Sequence, residues 1–290
     1  MDIGLSLPTM ARGCDRAATL AWSRAADEGP FSSISCGERI TFHNPEMMVT
    51  LATAAAVTER VRVFVNLALA PAHPTPELAK QVATLDVMSG GRVDLGVGIG
   101  GREHDYLALD SPFDHRHERL DRAVAELRRL WAGGAAFEGA DPVEPAPVQP
   151  GGPPILAGAM GPKALARAAQ WADGITGFSV AGSGAEMVAA ADAATQAWDA
   201  AGRTEPPRKV TGFFYVLGPD AEATLRSFTA EYLAIFGRSF ADAFAQSMTT
   251  STPDTVRAAI EAAESAGCDE VILVPGTPDQ ACLDATLTLF

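Results

Sequence analysis

A strand-like run followed by an alanine-rich stretch with helical spacing recurs along this chain at intervals of ~30 residues, the length of one β-α-β step. The β-rich runs are IGLSL at 3–7, FSSISC at 31–36, VRVFVNL at 61–67 and RVDLGV at 92–97, and PILAGAM, DGITGF, KVTGFFYVL and DEVILVP follow later in the chain. Strands that alternate with helices in this way lie parallel, because each parallel neighbour is reached through a crossover. Eight of them close into a (β/α)8 TIM barrel of the α/β class, whose active site lies at the carboxyl ends of the strands. An open doubly wound sheet is the rival arrangement of the same units.

The helix signals follow the same rhythm. Thr75 is expected to cap a helix with Pro76 in its first position, and Leu78, Val82, Leu85 and Met88 form an apolar stripe that stops at Gly90 and Gly91. A second helix is expected over 116–132, with Leu120, Val124, Leu127 and Trp131 turned inward. The interval 133–153, GGAAFEGADPVEPAPVQPGGP, reads as a long surface loop, since the strand and helix pattern resumes after it. With 290 residues, 47% of them hydrophobic, residues 1–290 are read as a single domain around one large core.

A formal charge of −14 repels phosphate backbones and anionic lipid, and no local basic patch offsets it, so neither nucleic acid nor a membrane is an expected partner. Cys14, Cys36, Cys268 and Cys282 show no paired spacing, which fits free thiols in a reducing compartment. The opening MDIGLSLP is strand-like, without the basic and apolar regions of a signal peptide. A cytoplasmic protein is expected.

Two glycine-rich segments stand where strands end. After the fourth β-rich run, Gly98, Ile99, Gly100 and Gly101 let backbone N–H groups approach a flat or anionic ligand, or simply let the chain bend. After the fifth, Gly158, Ala159, Met160 and Gly161 lead into Pro162 and an alanine-rich helix, so unpaired first-turn N–H groups face the strand ends and favour an anion. Lys163 either adds charge there or stays solvated. The stretch holding His104, Asp105, Asp110, Asp114, His115 and His117 invites a metal reading, but it lacks an HExxH pattern and no metal site is assigned. Tyr232, Phe236, Phe240 and Phe244 recur at helical spacing within an aromatic-rich region that also holds Phe213, Phe214, Tyr215 and Phe228. That spacing predicts core packing, with a substrate pocket as the other use.

LAKQVATLDVMSGGRVDLGVGIGGREHDY, then FDHRHERLDRAVAELRRLW, then PPILAGAMGPKALARAAQWADGI resemble, in order, the luciferase-like flavin-dependent oxidoreductases, a superfamily that includes relatives dependent on the deazaflavin F420. The resemblance covers about two thirds of the chain, roughly 3–177, and is most specific at the LAKQVATLDVMSGGRVDLGVGIG block and at the Gly161-Pro162 helix start. It implies a (β/α)8 barrel with FMN or F420 across the strand ends. The cofactor phosphate would lie on Gly158, Ala159, Met160 and Gly161, and Gly98, Ile99 and Gly100 would line the phosphate and ribityl region. Arg102 is either a phosphate partner or a surface residue, and the acid- and histidine-rich stretch after it reads as a mobile loop over the phosphate. Many members carry a non-proline cis peptide after strand 3 on which the ring rests. It aligns with Leu67-Ala68, with Asn66 just before. Thr176, Gly177 and Phe178 would seat the polar end of the substrate.

The chain departs from the family after strand 2, where members carry an acid and a histidine and this sequence has Cys36, Gly37, Glu38 and Arg39. Glu38 and Arg39 are catalytic candidates that bind substrate or pair with each other, and His43 is a surrogate histidine or a cap for the helix starting near Pro45. The implied activity is oxidation or reduction of a small apolar or aromatic molecule. It proceeds by FMN monooxygenation through a flavin peroxide or by F420 hydride transfer, with a flavin or F420 reductase as partner and a homodimer as assembly. The alternative is a non-catalytic flavin-binding homologue, a cofactor store or partner subunit. A cofactor-free lyase or hydrolase requires a metal cluster or a lysine at a strand end, and Lys80, Lys163 and Lys209 do not end strands.

Overall fold

Eight strands hydrogen-bond in chain order: β1 (Asp2–Ser6), β2 (Ser33–Cys36), β3 (Arg62–Ala68), β4 (Val93–Val97), β5 (Ile155–Ala157), β6 (Gly174–Thr176), β7 (Arg208–Tyr215) and β8 (Glu270–Pro275). β8 returns to β1, pairing Asp2 with Glu270 and Leu5 with Leu273, so the sheet has no edge. This is the expected (β/α)8 barrel, seen in a computed structural model that describes residues 1–290, and the closure excludes an open sheet. Helices cover the outside while side chains fill the inside, which is why β2 and β4 are buried along their whole length, including polar Ser33, Ser35 and Asp94.

The helix Arg116–Trp131 buries Leu120, Val124, Leu127 and Trp131, as its spacing predicts. The helix Thr75–Ser89 differs in detail. Pro74 is its N-cap, Thr75 is already helical, and no side chain caps it. Leu78, Val82 and Leu85 are buried, whereas Met88 is 72% exposed, because ten residues along a helix carry it roughly a quarter-turn away from that stripe. The segment 133–153 contains only an isolated bridge between Ala135 and Pro142. Its far end is tied down by buried Asp86, which accepts from the Val148 N–H at 2.7 Å, the Gln149 N–H at 3.0 Å and Gln149 Nε2 at 2.8 Å.

The expected face of four aromatics does not form. Gly237, at φ 113°, separates a 3-10 turn at Ala234–Phe236 from the helix Arg238–Gln246, so the spacing runs across a break. Phe236 and Phe240 are about half exposed, while Phe213, Phe214, Tyr215 and Phe228 are buried.

Charges close the amino-terminal end of the barrel. Arg208 bridges Asp94 at 2.9 Å and Glu270 at 2.7 Å, Arg62 Nε donates to Asp94 at 2.6 Å, and Ser33 donates to Glu270 at 2.5 Å. Both acids are buried, and each is paired and hydrogen-bonded, the condition under which a charge is tolerated inside a protein. No helix is long and apolar enough to cross a membrane.

Candidate functional site

The site grows from an irregularity in β3. Val65 pairs with Leu95 and Ala68 with Val97, so three steps on β3 oppose two on β4 and the strand bulges at Asn66 and Leu67. The non-proline cis peptide joins Asn66 to Leu67, one residue before the position expected from the alignment, because the bulge is complete before Ala68 rejoins the ladder. Ala68, expected at the cavity, lies in the core: it is fully buried and its carbonyl accepts the Gly98 N–H at 2.9 Å. Asn66 and Leu67 do line the cavity, and Asn66 Oδ1 accepts from Thr176 Oγ1 at 2.8 Å across the barrel mouth.

Leu67, thrown forward by the bulge, explains the neighbouring glycines. A Cβ at Gly98 would stand 2.9 Å from Leu67 Cδ1, and one at Gly158 would overlap Leu67 Cδ2. Gly100 has φ +60° and would set a Cβ 2.6 Å from Leu69 Cδ2. The backbone after β4 and β5 therefore packs directly on side chains from the end of β3 and just beyond it, with the Gly98 N–H also bonded to the Ala68 carbonyl.

Two cavities that share a wall open at the strand ends, beside a third of about 720 Å³ that reaches past Ser179 and Val180. The smaller, about 360 Å³, reaches toward β1 and β2 and touches Ser6, Glu38, Arg39, Asn66 and Phe214. The larger, about 790 Å³, runs past Gly98 and Ile99 to Gly158, Ala159, Met160, Gly161 and Lys163. They share Leu67, Gly100, Gly101, Thr176, Phe178 and Phe236, so together they form one elongated cleft. At its far end Gly161 is the N-cap of the helix Pro162–Ala168, and a Cβ there meets no atom within 4 Å. Lys163 lines this end without an ion-pair partner, while Arg167 is tied to Asp121. Gly177 lines the smaller cavity, and Phe178 stands edge-on to Phe214 at 4.8 Å.

Arg102 lies on the smaller cavity, away from Gly161, and is engaged: Nε pairs with Asp105 at 3.1 Å and Nη2 donates to the Thr41 carbonyl at 2.9 Å. Asp105 also accepts the Ile40 N–H at 3.1 Å and the Thr41 N–H and hydroxyl at 2.8 Å each. Burial pushes the Asp105 pKa up, but these hydrogen bonds and the Arg102 charge outweigh it and hold the carboxyl below its ordinary value. The stretch expected as a mobile loop thus begins with a short helix, Glu103–Ala108, pinned to 40–41. His104, Asp110, Asp114 and His115 are exposed, and His117 lines the larger cavity.

Glu38 and Arg39 do not pair with each other. Glu38 accepts the Leu69 N–H at 2.6 Å and His73 Nε2 at 2.8 Å, with its side chain 5% exposed. Burial disfavours the charged His73 ring, yet the hydrogen bond and charge of Glu38 prevail and raise its pKa. Sequence reasoning missed His73 because it sought the histidine after strand 2. The ring arrives from APAHP, just past β3, a strand-end segment where the search also applies. His43 lies off the cavity, with Nε2 3.0 Å from the Met10 carbonyl oxygen, and the helix Met47–Ala55 is capped by Glu46 instead. Arg39 is buried, its guanidinium over the Tyr232 ring.

A family model described as luciferase-like monooxygenase matches residues 1–286. The chain is 33% identical over 161 residues to the F420-dependent hydroxymycolic acid dehydrogenase of Mycobacterium tuberculosis, a stretch that is 52% of this chain and 43% of that protein. The matched stretches span less than half the length of the first curated relatives. Among solved structures, an F420-dependent secondary alcohol dehydrogenase in complex with an F420-acetone adduct superposes with a TM-score of 0.82 at 18% identity, covering 100% of this chain and 98% of the other. The oxygenating constituent of 3,6-diketocamphane monooxygenase from Pseudomonas putida, in complex with FMN, gives 0.70 at 16% identity, covering 100% and 96%. At these identities the superpositions establish a common fold.

Proposed function

The chain belongs to the luciferase-like monooxygenase family, and from that premise we propose that it is an oxidoreductase that holds FMN or F420 across the strand ends and acts on a small apolar or aromatic molecule. The observation that carries this reading is the continuous cleft from Glu38 to Gly161, made of cavities of about 360 and 790 Å³ that share six wall residues. The residues present fit such a group at both ends. Asn66 and Leu67 offer a ledge for the ring on the bulge, and the open space at Gly161, beside unpaired Lys163, suits the phosphate end.

When bound, the cofactor supplies the redox chemistry, oxygen activation for FMN or hydride exchange for F420. The chain supplies position, an apolar lining and a proton. Leu67, Phe178 and Phe236 give the middle of the cleft an apolar wall. Glu38 faces the smaller cavity on one side and holds His73 on the other, so the pair can take a proton from, or return it to, a group bound there. The non-catalytic alternative drew on the missing acid and histidine after β2. Glu38 and His73 make such a pair from two strand ends, which favours turnover. The reading carries with it a cytoplasmic setting, a flavin or F420 reductase as partner, and a homodimer.

A difference-absorbance titration of the purified chain with FMN and, separately, F420 tests it. Saturable binding of one of them at micromolar concentration is expected. Binding of neither overturns the proposal.

A further inference from the structure

Arg39 is a cation enclosed at the cavity wall without a counter-ion. The residue is 8% exposed. Its guanidinium carbon stands 3.6 Å from the Tyr232 ring centre and 4.7 Å from that of Phe42, and Nη2 donates to the Tyr232 carbonyl at 3.0 Å. Nη1 is buried and has no hydrogen-bond partner. Buried charged donors are almost always paired, and one left unpaired is costly to the fold.

The nearby acids do not answer it. Glu38 is taken by the Leu69 N–H and His73, and Asp105 by Ile40, Thr41 and Arg102. Arg102 is paired with Asp105, and both Glu38 oxygens are already engaged. Arg39 is left without an ion-pair partner at a cavity whose other walls include Leu67, Phe178, Phe214, Tyr232, Phe236 and Val274. An arginine serving only as a strut between 39 and 232 needs its stacking and its Nη2 bond, and neither explains a free Nη1. A guanidinium flanked by aromatic rings and short of one acceptor matches a carboxylate borne by an apolar body.

We propose that Arg39 seats the carboxylate of the substrate, which is an aromatic or aliphatic carboxylic acid whose apolar part lies against Phe178, Phe214 and Phe236. The inference deepens the oxidoreductase reading by naming its substrate class, and it rests on that reading only for the chemistry that follows binding.

Isothermal titration of the full chain tests it with two probe pairs of matched shape, phenylacetate against phenylacetamide and octanoate against octanamide. Each is titrated into the wild type, Arg39→Gln and Arg39→Lys, with thermal melts of all three and a parallel FMN and F420 titration. In the wild type at least one acid should bind tenfold or more tightly than its amide. Arg39→Gln should erase that preference and Arg39→Lys keep a part of it, while cofactor affinity stays within twofold. Equal binding of acid and amide in the wild type, binding of neither acid, or an unchanged preference in a folded variant overturns the inference. If Arg39→Gln fails to fold, the wild-type comparison and Arg39→Lys still decide. An acid preference in a chain that binds no cofactor leaves this site standing and removes the cofactor reading; cofactor binding without acid preference does the reverse.

Discussion

Leu67 lies so close to Gly158 that a β-carbon on the glycine would overlap the leucine's Cδ2. The contact joins the β3 bulge to the end of β5, where the two cavities meet. Gly158→Ala should therefore destabilise the chain by about 1 to 3 kcal/mol through overpacking. Adding Leu67→Ala should return part of the loss, with a coupling of about 0.5 to 3 kcal/mol in a urea double-mutant cycle. Additive effects would show that the two residues do not press on each other.

Gly161 gives the opposite expectation. Its backbone is extended, at φ −124°, and a Cβ there meets nothing within 4 Å, so Gly161→Leu should change stability by less than about 0.5 kcal/mol. The new side chain would occupy the space assigned to the cofactor phosphate. Affinity for FMN or F420 should fall at least about tenfold, as one lost charge-assisted hydrogen bond suffices for that. A melt beside a cofactor titration reads both quantities, and full affinity in the folded variant would move the phosphate elsewhere.

The Glu38 and His73 contact sets a pH dependence. Burial opposes the charged ring, but Glu38 raises the pKa above the ordinary value of 6.5. A raised folded pKa means the stabilisation is complete below about 6.5 and fades as pH rises through the folded value. Wild type should exceed His73→Gln by about 1 to 2 kcal/mol at acid pH, and the gap should narrow on the alkaline side. Chemical unfolding at a series of pH values measures it, and a constant gap would remove the charge from the pair.

Asp105 carries the opposite sign. Its carboxyl is held below its ordinary value of 3.8, so its contribution is present above that pH and is lost as pH falls through the depressed value. Asp105→Ala strips the Ile40 and Thr41 amides of their acceptor and Arg102 of its partner, and should destabilise by about 3 to 5 kcal/mol. Hydrogen exchange at those two amides should quicken in the variant; unchanged protection would mean that Asp105 does not hold the segment beside Arg39.

Much of the architecture was legible in the chain because its signals are local. Most strands lie in short β-rich runs, and a helix such as Arg116–Trp131 needs only its own spacing to declare its inner face. The glycines at 98, 100 and 158 were visible too, although their neighbours were not: family resemblance tied them to a cofactor, and packing ties them to Leu67 and Leu69. The aromatic series from Tyr232 to Phe244 misled, since the helical period was unbroken in the sequence while Gly237 turns the backbone out of the helix.

The sequence by itself determined the alternation of strands and helices and the end at which loops gather, because periodicity and turn chemistry act over a few residues, while the pairing of β8 with β1 chose the closed barrel over an open sheet. Tertiary structure alone decided that Glu38 meets His73, that Asn66 and Leu67 form the bulge while Ala68 stays in the ladder, and that Arg39 slides beneath Tyr232. These partners lie 35 to 193 residues apart. Such contacts exist only once eight strands have closed in one register, since closure fixes which loop ends face one another across the mouth.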